Sequence, residues 1–170
     1  MLSKKVEDAL NKQINAEFWS GYLYLSMSAH FAKEGKSGFA NWFKVQALEE
    51  QDHAMKFFEY IVSRGGEVKI MPIKEVPHTW ESPIAAFKAA LQHEKQVTAM
   101  INDLMTLSTD EKDYATISML QWFVDEQVEE EETAQEYIDS LEMIKDNGFG
   151  IYTLDKELKS RQYTPLTSSK

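Results

Sequence analysis

Glu17 is followed 33 residues later by Glu50-x-x-His53, and the same pattern shifted by 77 residues reads Glu94 and Gln127-x-x-Glu130. Carboxylate oxygen and imidazole nitrogen are ligands for first-row metal ions, and a ligand pair three residues apart shares one face of a helix. A carboxylate plus such a pair, given twice, describes a two-fold cage for two cations. The chain has no cysteine, so any metal must be held by oxygen and imidazole nitrogen.

Such a cage needs four helices to hold it, and the sequence punctuates four long helical periods. Segment A runs from about Ser3 to Lys33 and stops at Glu34-Gly35-Lys36-Ser37-Gly38; segment B runs from there to Gly65-Gly66. Segment C opens at Ser82-Pro83, an N-cap followed by proline at the first helical position. Segment D opens at the capping-box match Ser108-Thr109-Asp110-Glu111 and runs to Asn147-Gly148. Residues Glu67 to Glu81, with Pro72 and Pro77, show no helical stripe. A connection this long suits parallel B and C helices, because the chain must then travel the length of the bundle outside it. Ile151, Leu154 and Leu158 share one face and predict a shorter fifth helix over Ile151 to Arg161. The predicted fold class is all-α: a four-helix bundle of two antiparallel hairpins, with a long crossover and a short fifth helix.

The core seam of each predicted helix, followed at alternating steps of three and four, carries the candidate ligands. Segment A reads Gln13, Glu17, Ser20, Tyr24; segment B Gln46, Glu50, His53, Phe57; segment C Leu91, Glu94, Thr98, Ile101; segment D Phe123, Gln127, Glu130, Ala134. Counting back from the short turns puts Glu17 level with Glu50 and His53, and Glu94 level with Gln127 and Glu130. An unpaired buried carboxylate costs several kcal/mol, so four would exceed the roughly 5–15 kcal/mol stability of a domain unless something compensates. No Lys or Arg occupies the seams near these glutamates, which favours bound cations over internal ion pairs. Glu17, Glu50, Glu94 and Glu130 balance two divalent ions, or two trivalent ions sharing an oxo bridge, while His53 binds as neutral imidazole. An oxygen-dominated, redox-tolerant donor set favours iron over zinc, with manganese second.

Glu126, Glu129 and Glu130 form an i, i+3, i+4 column and Glu49 adjoins Glu50, which allows a flanking third metal position; by composition alone, the run from Glu129 to Glu132 is a solvated face. Tyr24 lies seven residues beyond Glu17 on the same face. It is either a core tyrosine seeking a hydrogen bond or a group that bonds a ligand or donates an electron. His30 and His93 have no matched partner and read as ordinary helix residues. Glu75-x-x-His78 repeats the letters of the ligand pair, but Pro77 excludes a helical turn there.

With 170 residues and 43% apolar content, the chain is expected to form one domain, residues 1–161, followed by a polar, frayed tail at 162–170. Its net charge of −10 disfavours nucleic-acid phosphates and suits the concentration of cations. No apolar stretch is long enough to cross a bilayer, and the N-terminal residues lack the apolar region of a signal peptide. No membrane partner and a cytoplasmic location are therefore expected.

Through Asn15-Ala16-Glu17, Leu48-Glu49-Glu50-Gln51-Asp52-His53-Ala54, Glu94 and Gln127-Val128-Glu129-Glu130, and along nearly its whole length, the sequence resembles the non-haem ferritins of bacteria and archaea. The resemblance implies a hollow shell of 24 subunits. Such a shell oxidises Fe(II) with dioxygen or peroxide at an intrasubunit diiron centre and stores ferric oxyhydroxide mineral. It further implies that Glu17 and His53 bind the first iron, Glu50 bridges, and Glu94 with Glu130 binds the second. Gln127 would assist nearby, and Glu49, Glu126 and Glu129 match an extra iron position.

Sister families differ at identifiable places. Haem-binding bacterioferritins carry a second Glu-x-x-His where this chain has Gln127-x-x-Glu130, and a haem-ligating Met where it has Asp52, so haem is not expected. Rubrerythrins add a Cys-rich iron domain, and the small DNA-protecting cages place their ligands between subunits. Two rival classes fit the residues less well: a diiron oxidase or peroxidase that keeps iron as a fixed cofactor without storage, and a helical interaction bundle with protonated seam carboxylates.

Overall fold

A helix leaves its first amides without partners, and in this chain each start is marked by a side chain that takes one up. The computed structural model describes residues 2–166, which contain five helices and no strand: α1 (Lys4–Lys33), α2 (Ser37–Ser63), α3 (Pro83–Asp110), α4 (Tyr114–Ile144) and α5 (Gly148–Leu158). Ser3, Ser82, Asp113 and Asn147 cap α1, α3, α4 and α5 by accepting from Val6 N, Ala85 N, Thr116 N and Gly150 N. Lys36, at the start of α2, makes no such bond. Asp155 of α5 replaces it, its Oδ1 accepting from Gly38 N at 2.8 Å and Phe39 N at 3.1 Å. A Cβ on residue 38 would lie 1.6 Å from Asp155 O, so only glycine admits this approach.

The crossover reads as a strap along α1. Asn11 Nδ2 donates to Glu67 O, Asn15 Nδ2 to Met71 O and Pro72 O, and Ser26 Oγ to Pro77 O. From Asn11 to Ser26 the strap climbs about 22 Å at 1.5 Å per helical residue, which brings α3 back to the end where α2 began. Helices α2 and α3 are therefore parallel, as the length of the connection predicted, and the bundle is the all-α one expected. No helix among the described residues is long and apolar enough to cross a membrane.

Two apolar clusters fill the bundle. One holds Tyr24, Met27, Phe31, Phe39, Phe43, Phe87, Ala134 and Leu141, together with Leu154 and Leu158 of α5; the other holds Val6, Leu10, Phe57, Ile61, Ile101, Leu120 and Phe123. On every long helix the gap between them is occupied by polar seam residues, so the apolar core is cut by one polar layer at mid-height.

Three boundaries differ from the sequence expectation. Helix α3 continues through Asp110, and α4 starts at Tyr114 instead of near Ser108. The capping-box letters at Ser108 are a coincidence: Ser108 O accepts from Asp113 N to close α3, and the turn is made by Lys112 at φ 55°, a left-handed residue without the glycine that usually marks one. Helix α5 begins at Gly148 and ends at Leu158, because Asn147 caps the glycine pair that reads as a break. The tail expected to fray from Gln162 is tied down in its described part, with Tyr163 OH and Leu166 N both donating to Asp52 Oδ2; residues 167–170 lie outside the described residues.

Candidate metal centre

Every long helix delivers a carboxylate to the polar layer: Glu17 from α1, Glu50 and His53 from α2, Glu94 from α3, Gln127 and Glu130 from α4, all buried. Glu17, Glu50 and His53 each offer one ligand atom, and the three atoms lie within 4.8 Å of one another; His53, Glu126 and Glu130 form a second such group. His53 serves both, with Nδ1 3.4 Å from Glu50 Oε2 and Nε2 3.8 Å from Glu126 Oε1. The rings of Trp122 and Phe123 meet the imidazole edge-on and fix its plane.

Neutral amides and a phenol satisfy what the carboxylates leave open. Glu94 Oε1 accepts from Tyr24 OH, and its Oε2 accepts from Gln127 Nε2 at 3.1 Å. Gln46 Nε2 donates to Glu130 Oε2 at 2.7 Å, and Gln13 Nε2 to Glu17 Oε1 at 2.8 Å. Glu17 Oε2 is buried and has no partner. A buried carboxylate oxygen left unsatisfied is rare, and here it belongs to the first ligand group, so the missing partner is what a cation would supply.

Burial in a dry layer, and after it the repulsion of like charges, raises the proton affinities. Burial, reinforced by the Glu50 charge, pushes the Glu17 carboxyl up to about 8. Burial and the neighbouring Glu94 charge hold Glu50 and Glu130 well above the ordinary carboxylate range. Burial likewise raises Glu49 and Glu126, and it raises the Tyr24 phenol, next to Glu94, well above its usual value. Bound cations reverse this repulsion, since they stabilise the ionised form of every group they touch.

The residues singled out from the sequence do not all fall in one place. Glu17, Glu50, His53, Glu126 and Glu130 make up the two ligand groups, with Glu94, Gln127 and Tyr24 hydrogen-bonded beside them. Glu49 is paired with a cation, its Oε2 lying 2.6 Å from the Arg161 guanidinium, and Glu129 is exposed and in neither group. His93 Nε2 lies 2.7 Å from Ser20 Oγ, and His30 packs against Phe31 and Trp80; neither joins a ligand group. Glu75 and His78 sit exposed in the crossover.

Sequence reasoning found the Gln127 amide but missed the roles of Gln13, Gln46 and the arginine. Gln13 and Gln46 carried a signal, being polar seam residues one turn before Glu17 and Glu50. Arg161 carried none. It enters from beyond α5, 112 residues away from Glu49, so a search of the four seams for a basic residue could not find it.

The family model described as Ferritin-like domain matches residues 7–144. The chain is 44% identical over 161 residues to a bacterial non-heme ferritin of Bacteroides fragilis, covering 95% of this chain and 100% of the relative. Against a bacterial non-heme ferritin of Staphylococcus epidermidis the figures are 42% over 163 residues, 96% and 98%. Among solved structures, the open-pore ferritin of Archaeoglobus fulgidus superimposes with a TM-score of 0.94 at 47% identity, covering 95% of this chain and 100% of that one. A form of that ferritin closed by site-directed mutagenesis gives a TM-score of 0.95 at 47% identity, with 96% and 100% coverage. With likeness over the whole bundle in both sequence and shape, the chain belongs to the ferritin family.

Proposed function

We propose that the protein is a ferroxidase and iron store: it binds pairs of Fe(II), passes their electrons to dioxygen or peroxide, and keeps the Fe(III) product as oxyhydroxide mineral inside a 24-subunit shell. The observation that carries this reading is the polar layer itself. Four buried glutamates and a histidine meet between two apolar clusters, and one carboxylate oxygen has no partner. In this reading Glu17, Glu50 and His53 take the first ion, Glu50 reaches the second, and Glu94 with Glu130 completes that site. Glu126, Glu129 and Glu49 form an outer third position, residues 1–161 are the working domain, and the cytoplasm is its compartment. Haem has no role.

The exposed apolar side chains of Tyr22 and Leu25 on α1, Ile70 in the crossover, and Phe149 and Tyr152 on α5 support burial against other subunits. Anaerobic Fe(II) followed by oxygen, with particle size and iron content measured together, tests the whole reading. The expected result is a particle of about 24 chain masses, by family resemblance, that accumulates iron far beyond a few ions per chain. A particle holding only a few would instead identify a fixed-cofactor oxidase.

Gln127 sets how firmly the second ion is held. Its amide donates to Glu94 and Thr98, so a neutral, weakly ligating group occupies the place where a second Glu-x-x-His would put its charged carboxylate. Gln127→His is expected to slow departure of oxidised iron about tenfold, the scale on which a group beside a ligand alters metal affinity. Release at the wild-type rate, followed by single-turnover loading and chase, would remove Gln127 from the exit step.

A further inference from the structure

The C-terminal segment beyond α5 closes over the outer face of the ligand layer through one residue. Arg161 Nη2 donates to Glu49 Oε2 at 2.6 Å, while Nη1 donates to Gln46 Oε1 at 3.0 Å and to Trp42 O at 3.3 Å. Its guanidinium also lies 4.5 Å from the centre of the Trp42 ring. Asn41 Nδ2 anchors the backbone here, donating to Leu158 O and Arg161 O, and Asp52, one turn along α2 from Glu49, holds Tyr163 OH and Leu166 N.

Two consequences follow from these contacts. Glu49 already has its counter-ion, so a metal ion cannot use Glu49 Oε2 while the guanidinium stays in place. Gln46 is also oriented by it: with Oε1 taken by Arg161, the amide nitrogen points to Glu130 Oε2. The arginine thus neutralises the outer carboxylate and satisfies an inner one through a single glutamine.

We propose that Arg161 is an occupancy-setting residue: it stands in for the third cation at Glu49, and a metal ion arriving there displaces its guanidinium and loosens residues 161–166, which Asn41 and Asp52 still tie to α2. This rests on the reading of Glu49, Glu126 and Glu129 as an outer metal position. The ligand class is a hard or borderline divalent cation, and the exchange is one of charge for charge, with no bond made or broken beyond coordination. Coupling of this kind is reciprocal: by whatever factor the docked arginine weakens the third ion, the third ion weakens docking. Loading of the inner pair leaves the segment as it is, and only a further ion loosens it.

Cobalt(II) under anaerobic conditions is a suitable probe, since it takes oxygen and imidazole ligands and its visible bands report each occupied position. Titration calorimetry of the full chain is expected to show the third cobalt binding about fivefold to tenfold more tightly to Arg161→Gln than to wild type. In wild type, hydrogen exchange in residues 161–166 is expected to rise only after the second equivalent. Glu49→Gln should lose the third ion in both backgrounds.

A third ion retained by Glu49→Gln, or absent from wild type and Arg161→Gln alike, overturns the outer-site reading. A third ion lost with Glu49→Gln but unaltered in Arg161→Gln, with exchange in 161–166 insensitive to cobalt, overturns the proposal for Arg161 alone. Weaker third-ion binding in Arg161→Gln overturns it too, because the arginine would then be supporting the site.

Discussion

Glu50→Gln is expected to slow rapid Fe(II) oxidation by at least about a hundredfold, beyond the cost of altering a group that only supports a ligand, and at the same time to make the metal-free protein more stable at pH 8. The two signs together are diagnostic. Glu50 is buried in the first ligand group, where burial and the Glu94 charge make its ionised form costly, so an isosteric neutral amide removes that cost without opening a cavity. A residue kept for packing or for an internal ion pair would give the reverse pattern, a loss of stability with no loss of oxidation.

Stopped-flow absorbance after mixing with oxygen reads the first effect, and thermal melting of chelator-treated protein reads the second. The added stabilisation that wild type gains from a divalent cation should largely vanish in the variant, because ligand-linked stability scales with the affinity that Glu50 provides. His53→Ala should share the kinetic loss. Oxidation at the wild-type rate in both variants would place the chemistry elsewhere in the chain.

The metal-free protein is also expected to lose stability as pH rises from 5 to 9. Glu17 protonates at about 8 in the fold against 4.5 when unperturbed, so the folded state binds its proton more tightly. Its contribution is complete below the unfolded value and is lost as pH climbs through the folded one. For one group displaced this far the loss is on the order of a few kcal/mol, and Glu50 and Glu130 shift in the same direction. Surface carboxylates act oppositely: Lys36 lowers Glu34 and Lys5 lowers Glu111, and their small contributions fade on acidification, which leaves a maximum near pH 5.

Saturating divalent cation should flatten the alkaline limb, because the ionised carboxylates are then the stabilised form. Metal binding near pH 7 should therefore release protons, measurable in weak buffer with an indicator dye. A metal-free melting temperature that stays level between pH 5 and 9 would contradict the assignment of these carboxyls to a dry, cation-poor layer.

Most of the bundle was legible because its signals are local. Ser3, Ser82-Pro83 and the glycines after α1 and α2 mark termini by side-chain and backbone chemistry that acts within a few residues. The seam glutamates stood out because polar residues at core positions break a period. The start of α4 was misplaced for the complementary reason: Lys112 takes a left-handed conformation that its side chain does not advertise. Arg161 and Asp155 were invisible since each acts on α2 across more than a hundred residues. Such contacts are set by how α5 packs, which no periodicity encodes.

The borrowed cap on α2 has a consequence for how the chain is made. Gly38 leaves the ribosome 117 residues before Asp155, an interval on the order of 10 s at ordinary elongation rates. During that time α1 and α2 can pair, but the first amides of α2 have no acceptor and Glu49 no arginine. The hairpin that carries Glu17, Glu50 and His53 is thus finished last by the part synthesised last. A nascent chain stalled before α5 would present this half in a looser form that proteases and chaperones can distinguish from the finished product.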